Sequence, residues 1–284
     1  MSALKIKAII RLFRLDLSIA AGICVVAGQI LAVGKFPPVL TAAAGFLCAF
    51  FISASAIILN DYFDYEVDLV NAPERPLPSG LVSKKEALWL TAITSLLGLA
   101  AAFYFGFVVL GLAILLWVIG VLYNWRFKQS GLPGNLMVCL SVASTFLLGG
   151  ISAGDFWNGI IWVFAGMAFF IDLGEEIAGD AMDMEGDRKR GSRSIALMRG
   201  RRFATILSVI CWSIVILLGF IPLMRGWFGW SYLLFISTTD LLLVFFSIRL
   251  LRSKTSGEGR NAMRGVYIGA TLAVAAFMLG QLIR

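Results

Sequence analysis

The nine residues NDYFDYEVD at positions 60–68 directly follow an apolar run over residues 43–59. The run predicts a membrane helix, so these acids stand at a helix end where charge is costly and usually functional. Asn60, Asp64 and Asp68 have the spacing i, i+4 and i+8, which predicts a single helical face. The stretch offers oxygen ligands but no histidine or cysteine, which favours a hard cation such as Mg²⁺. The alternative is an acidic helix end that simply faces water.

The composition identifies the class of protein. Of the 284 residues, 60% are hydrophobic and 14% are charged, which is less charge than a soluble domain carries. The chain has no histidine, which excludes a histidine general base and a histidine-ligated metal. No CxxC pair occurs, so the cysteines are predicted to be small buried hydrophobic residues. They are Cys24, Cys48, Cys139 and Cys211.

Nine apolar runs are long enough to cross a bilayer. They cover residues 17–33, 39–60, 86–105, 107–124, 134–152, 158–178, 203–222, 230–250 and 265–283. Only the short segment around Gly106 separates the third run from the fourth. We therefore predict an all-α, polytopic membrane protein with about nine transmembrane helices around a central cavity, in a single domain over residues 1–284.

The distribution of basic residues predicts the orientation. On alternating loops, 21 of the 24 lysines and arginines fall on the side of the N-terminus, and only Lys35, Arg225 and Arg284 fall on the other. The positive-inside rule then places the N-terminus and both acidic loops in the cytoplasm and the C-terminus outside the cell membrane. The first helix is expected to stay uncleaved. Topology accounts for the net charge of +7, and neither a nucleic-acid partner nor a protein partner is predicted.

A second acidic stretch, GEEIAGDAMDMEGD at 174–187, follows the sixth predicted span. It repeats the spacing D-x2-D-x3-D of residues 61–68, four spans later and again at the end of a helix. The recurrence argues against a helix end that only faces water. It predicts two four-helix halves, about 1–130 and 131–255, with the ninth helix appended. The second stripe comprises Glu176, Asp180, Asp183 and Asp187.

Carboxylates this close would repel one another in a partly dry site unless cations lay between them. We therefore predict two Mg²⁺ ions, one for each cluster, whose free coordination positions take phosphate oxygens of a substrate. Arg75 lies in a proline-rich loop, residues 71–80, that fixes its position, and arginine suits a diphosphate. The alternative from another class is a cation-coupled transporter, which would carry isolated acids near mid-membrane.

Three motifs together resemble those of the UbiA-type intramembrane prenyltransferases, over nearly the whole chain. Residues 60–68 are similar to the family's NDxxDxxxD motif, residues 75–80 to its RPLPSG element, and residues 180–187 to its second aspartate-rich motif. The nine-helix count fits the family as well. One departure is Arg14-Leu15-Asp16, where many members have Arg-Pro-x-Asn and this chain lacks the proline.

The resemblance implies Mg²⁺-dependent transfer of an isoprenoid from a prenyl diphosphate to an acceptor in the bilayer. The motifs are most similar to the archaeal branch that makes ether lipids. Its donor is geranylgeranyl diphosphate, and its acceptor is the lipid-like, phosphate-bearing geranylgeranylglyceryl phosphate, whose glycerol hydroxyl attacks. The alternative within the family is prenylation of an aromatic acceptor such as 4-hydroxybenzoate.

The resemblance also assigns roles to individual residues. One Mg²⁺ would be held by Asn60, Asp64 and Asp68, and the other by Asp180, Asp183 and Asp187. Asp61, Asp64, Asp68 and Asp183 are candidate catalytic residues. A base must take the hydroxyl proton, and Asp61, Asp68 and the released diphosphate stay open for this task. The candidate substrate-binding residues are Arg14, Arg75, Tyr123, Lys128 and Glu176.

Overall fold

The computed structural model describes residues 3–282, and in this part of the chain it contains helices and no strand. The helices, numbered in chain order, are α1 Ala3–Leu12, α2 Leu15–Val33, α3 Val39–Phe63, α4 Tyr65–Asn71, α5 Lys84–Phe103, α6 Phe107–Leu122, α7 Leu132–Ser152, α8 Gly159–Met182, α9 Met184–Arg190, α10 Ile195–Arg199, α11 Arg201–Met224, α12 Trp230–Arg252 and α13 Ser256–Leu282. A π-helical turn, Tyr123–Phe127, follows α6. The all-α class is confirmed.

Seven helices of the described part are long and apolar enough to cross a membrane, α6 together with its π-turn among them. Helix α8 is as long, with 24 residues, but its C-terminal half carries four acids. Helix α13 has 27 residues and a polar first third. The count of nine spans therefore stays a prediction, whereas a multi-pass membrane protein is what the structure presents.

The boundaries of the predicted spans mostly agree with the structure. The break near Gly106 is real: its φ of 92° lets the chain turn sharply from α5 into α6, and glycine tolerates that conformation. The largest difference is at α13, which begins at Ser256, well before the predicted start at 265. Hydropathy detects only the apolar part of a helix, so a polar extension into water escapes it.

Helices α1 and α10 were not predicted, because each is too short or too polar to register as a span, whereas α4 and α9 continue the helical faces predicted at 60–68 and 176–187. Helix α1 is amphipathic. It buries Ala8 and Leu12 in a cluster with Ile58 and Leu77, and leaves hydrophobic and basic residues exposed. Two residues after its end, Arg14 precedes α2 with a φ of 38°, which makes it the one non-glycine residue of the described part with a left-handed backbone.

The helices pack in an order that encloses a central space. Helix α3 packs between α2 and α5, α7 between α2 and α8, α8 against α11, and α12 against α13. Small residues permit a close crossing of α2 and α7. A Cβ atom on Gly28 would lie 2.5 Å from the carbonyl oxygen of Phe146 and 3.1 Å from Cα of Gly149, so only glycine fits there.

The enclosed space is a cavity of about 1030 Å³, lined mainly by apolar side chains of α2, α3, α6, α7, α8, α11, α12 and α13. This confirms the predicted central cavity. Its lining includes Leu17 and Ile23 of α2 and Tyr267 of α13, all of which are exposed residues. Because both helices contribute exposed side chains to the lining, we infer that the cavity opens towards the lipid between α2 and α13.

Candidate active site

The first acid cluster, residues 60–68, lies where α3 gives way to α4. Asp64, with φ −81° and ψ −1°, separates the two helices. The backbone N–H of Asp64 still donates to the carbonyl of Asn60 at 2.9 Å, and that of Asp68 donates to the carbonyl of Asp64 at 2.8 Å. Because the helical hydrogen bonds continue through the bend, the side chains of Asn60, Asp64 and Asp68 stay on one face of a nearly continuous helix.

The second acid cluster, residues 176–187, repeats this backbone. Asp183, with φ −119° and ψ 23°, separates α8 from α9, a helix of seven residues like α4. Its N–H donates to the carbonyl of Gly179 at 3.0 Å, and the N–H of Asp187 donates to the carbonyl of Asp183 at 2.9 Å. Both D-x2-D-x3-D motifs thus place their middle aspartate at the junction of a long and a short helix. The division into halves about 1–130 and 131–255 stays a prediction.

Two arginines from outside the helix neutralise the outer edge of the first cluster. Arg75 lies 2.6 Å from Oδ2 of Asp68 and 3.9 Å from Oδ1 of Asp61. Arg14 donates to Oδ1 of Asp61 at 3.0 Å. Partial burial lowers the pKa of Arg75, but the hydrogen bond and charge of Asp68 and the neighbouring Asp61 outweigh it, so the pKa is raised overall. Arg75 therefore stays cationic at any pH that the protein survives.

Lys128 lies at the centre of the site. It follows the π-turn, where its N–H bonds to the carbonyl of Tyr123 at 2.8 Å, five residues back, and such turns are frequent at functional sites. Its ammonium group forms an ion pair with Asp64. In the orientation that satisfies its neighbours, the Asn60 amide accepts from Lys128 at 2.9 Å and donates to Asp64 at 3.2 Å. Lys128 also lies within electrostatic range of Glu176 in the second cluster.

The second cluster has its own cations. Arg190 donates to Oδ2 of Asp183 at 2.7 Å and to Oδ1 of Asp187 at 3.2 Å. Arg260 of α13 approaches Oδ1 of Asp183 at 3.8 Å. Asp180 forms no ion pair with any described residue and accepts a hydrogen bond from the Asn135 amide at 3.0 Å.

Tyr123 lies near both clusters. This side chain lies within electrostatic range of Asp64 from the first cluster and of Glu176 and Asp180 from the second. Four of the predicted site residues line the cavity, namely Arg14, Asn60, Tyr123 and Glu176. Residues of both clusters thus lie in the wall of one apolar cavity, and their joint action as a single site stays a prediction.

The side chains of the two acid clusters can be compared with the ligands that Mg²⁺ prefers. Within residues 3–282, no group of three or more acidic or cysteine side chains is arranged as a ready metal site, because arginines and Lys128 contact most of the aspartates. Every donor is nevertheless a carboxylate or amide oxygen, which Mg²⁺ prefers. Oδ2 of Asp187 is buried and has no hydrogen-bond partner among the described residues, as expected of a ligand lacking its cation. The residues fit Mg²⁺.

Sequence reasoning missed several polar residues of the site. Asn135 and Arg260 come from α7 and α13, and no spacing in the sequence connects them to the acids. Asp172 and Glu175, which line the cavity, had a readable signal. They share a helical face with Glu176 inside a predicted span, and acids in such a span are rarely accidental.

The family of this chain follows from its similarity to known proteins. The model of the UbiA prenyltransferase family matches residues 21–280. The chain belongs to the UbiA prenyltransferase family. The resemblance of the motifs is thereby confirmed. Membership makes the chain a multi-pass membrane enzyme that transfers prenyl groups, which decides against the transporter alternative.

Individual UbiA relatives are similar over their full length. The digeranylgeranylglyceryl phosphate synthase of Thermococcus kodakarensis is 32% identical over 281 residues, which are 99% of this chain and 100% of that protein. That of Archaeoglobus fulgidus is 32% identical over 97% of this chain and 95% of that protein. A solved structure from a study of digeranylgeranylglyceryl phosphate synthase in membranes superimposes with a TM-score of 0.83, at 26% identity over 99% of both chains.

Proposed function

We propose that this prenyltransferase transfers the geranylgeranyl group of geranylgeranyl diphosphate to the glycerol hydroxyl of geranylgeranylglyceryl phosphate, which forms an ether lipid. The observation that carries the proposal is the meeting of two acid clusters, the five cations that pair with them and a largely apolar cavity. Full-length similarity to synthases of this name supports the choice of substrates. A UbiA homologue of known structure was solved with dimethylallyl diphosphate and Mg²⁺, which supports the donor class.

The polar end binds the donor's diphosphate in this proposal. Asn60, Asp64 and Asp68 would hold one Mg²⁺, and Asp180, Asp183 and Asp187 the other. When bound, Mg²⁺ supplies Lewis-acid stabilisation of the leaving diphosphate. Arg75 and Lys128 direct fixed positive charge at the same group, and a charge that is already in place needs no reorganisation during the reaction.

The apolar cavity holds the prenyl chain and protects the reactive carbon. The bond between C1 and the diphosphate oxygen breaks, and its electron pair leaves with the diphosphate. The exclusion of water by the apolar lining prevents capture of the allylic cation by hydrolysis. Tyr123, which lies near both clusters and lines the cavity, presents an aromatic ring that can stabilise this cation.

The lateral opening suits an acceptor that is itself a lipid. A chain dissolved in the bilayer can enter between α2 and α13, where exposed apolar side chains line the cavity. We infer that the polar end faces the cytoplasm and that the C-terminus lies outside. On the predicted alternation of loops, 21 of the 24 basic residues fall on the side of the N-terminus, which the positive-inside rule places in the cytoplasm.

One experiment tests the proposal. Detergent-purified protein is incubated with labelled geranylgeranyl diphosphate, Mg²⁺ and a panel of acceptors that includes geranylgeranylglyceryl phosphate and 4-hydroxybenzoate, and the products are identified by mass. The expected product is the diether phosphate. Exclusive formation of a prenylated aromatic acid would overturn the proposal in favour of an aromatic acceptor.

A further inference from the structure

The wall that α8 contributes to the cavity carries two acids that the proposed metal chemistry does not use. Asp172 and Glu175 both line the cavity. Their spacing of three residues places them on one face of α8, together with Glu176. They lie on the apolar side of the site, beyond the second acid cluster, in a helix otherwise rich in small and apolar residues.

Their surroundings differ from those of the two acid clusters. Five of the six clustered aspartates form ion pairs with arginine or lysine. Neither Asp172 nor Glu175 has an ion pair with any described residue. Oδ2 of Asp172 is buried and has no hydrogen-bond partner in this part of the chain, and the other contact of its carboxyl group is with the Cys139 thiol. A polar group left unsatisfied beside a cavity indicates a ligand that completes it.

Their distance from the second acid cluster suits the reacting atoms. Glu175 precedes Asp180 by five residues and Asp172 precedes it by eight, which are about 7.5 Å and 12 Å along the helix axis. A prenyl chain anchored by its diphosphate at Asp180 must place its first carbon just inside the cavity. Glu175 lies at this depth.

The same two acids lie near Tyr267, at the inferred opening between α2 and α13. Tyr267 of α13 is 41% exposed at that opening, lines the cavity and lies within electrostatic range of both Asp172 and Glu175. A lipid that enters between α2 and α13 therefore passes Tyr267 before it reaches Glu175. Carboxylates accept hydrogen bonds from hydroxyl groups and repel phosphates, so this wall selects the hydroxyl end of an acceptor and excludes its phosphate.

We propose that Glu175, with Asp172 next to it on the same face, is the site that receives the acceptor's hydroxyl group. The inference rests on the proposed function. The hydroxyl oxygen forms a bond to C1 of the prenyl group while its proton passes to the Glu175 carboxylate. The C1–oxygen bond to the diphosphate breaks, and the electron pair leaves with the diphosphate. Glu175 is the catalytic residue of this step, and Asp172 is a positioning residue that fixes the hydroxyl.

The test compares Glu175→Gln and Asp172→Asn with Glu185→Gln, a control on α9 whose side chain is 87% exposed. Each purified variant is assayed for donor binding with Mg²⁺, for kcat and acceptor KM in prenyl transfer, and for the share of donor converted to prenyl alcohol by water. We expect Glu175→Gln to lower kcat about 100-fold, with unchanged donor binding and a larger share of prenyl alcohol. Asp172→Asn should mainly raise the acceptor KM.

Retained donor binding shows that the variants are folded, and a purely structural role would not shift the ratio of alcohol to ether. Wild-type transfer rates in both variants would overturn the inference, as would equal losses of donor binding and transfer. If the wild-type enzyme forms no ether with any acceptor, the proposed function fails. If it forms the ether and Glu175→Gln does so equally fast, only the present inference fails.

Discussion

The two acid clusters share a backbone but differ in how they are held. In the first, the side chains of Asp61 and Asp68 are only 6% and 8% exposed, and their cations come from separate segments before α2 and after α4. In the second, Asp187 is as buried, at 9%, but the middle Asp183 is 46% exposed against 22% for Asp64, and its nearest cation, Arg190, belongs to the adjoining short helix. The difference indicates that tertiary packing preassembles the first cluster, while the second can rearrange when a ligand binds.

The strongest test of this comparison removes the middle aspartate from either cluster. Asp64→Ala and Asp183→Ala should each lower the rate of prenyl transfer by at least about 100-fold. Each variant removes a carboxylate proposed to hold Mg²⁺, so the leaving diphosphate loses the positive charge of that ion. Chelation of Mg²⁺ should have the same effect on the wild-type enzyme. Rates are measured with labelled donor at saturating Mg²⁺. Full activity in either variant would show that its cluster does not contact the diphosphate.

The next test concerns Lys128, which forms an ion pair with Asp64 of the first cluster and lies within electrostatic range of Glu176 in the second. Lys128→Ala should lower kcat/KM about 10- to 100-fold, since one fixed positive charge is lost between the clusters. Lys128→Arg is the matched variant, because it keeps the charge and should recover part of the activity. Equal loss in both variants would mean that shape at this position matters more than charge.

A smaller effect is expected on stability. Arg75→Ala leaves Asp61 and Asp68 buried with fewer partners and should lower the free energy of unfolding by about 1–3 kcal/mol. Arg260→Ala removes a 62% exposed side chain 3.8 Å from Asp183 and should cost less than about 0.5 kcal/mol. Unfolding midpoints in detergent check both. Equal midpoints would contradict the idea that only the first cluster is preassembled.

The smallest effect is expected for the exposed acids on the two short helices. Glu66 pairs with Lys84 and Glu185 with Lys189, and both glutamate side chains are more than three-quarters exposed. Glu66→Gln and Glu185→Gln should leave transfer rates within about twofold of wild type, since such pairs contribute little. A large loss in either variant would extend the site beyond the D-x2-D-x3-D stripes.

The sequence predicted those features that rest on local pattern. Apolar runs predicted the long helices, and the repeated spacing predicted two similar acid stripes at helix ends, because helix periodicity alone relates residues three and four apart. The breaks at Asp64 and Asp183 were not predicted. Nor did the sequence predict Asn135 or Arg260 as partners of the second cluster, since their contacts depend on how distant helices pack. The amphipathic helix α1 was also missed, because its hydrophobic face is too short to resemble a span.

The opening inferred between α2 and α13 has a kinetic consequence. An enzyme whose cavity opens sideways draws a lipid acceptor from the plane of the bilayer, so its rate follows the mole fraction of acceptor among the lipids and not the amount per volume of water. Collisions occur in two dimensions, and no lipid tail needs to cross water on the way in or out. Added inert lipid or detergent would then slow turnover by surface dilution, even at a constant total amount of substrate.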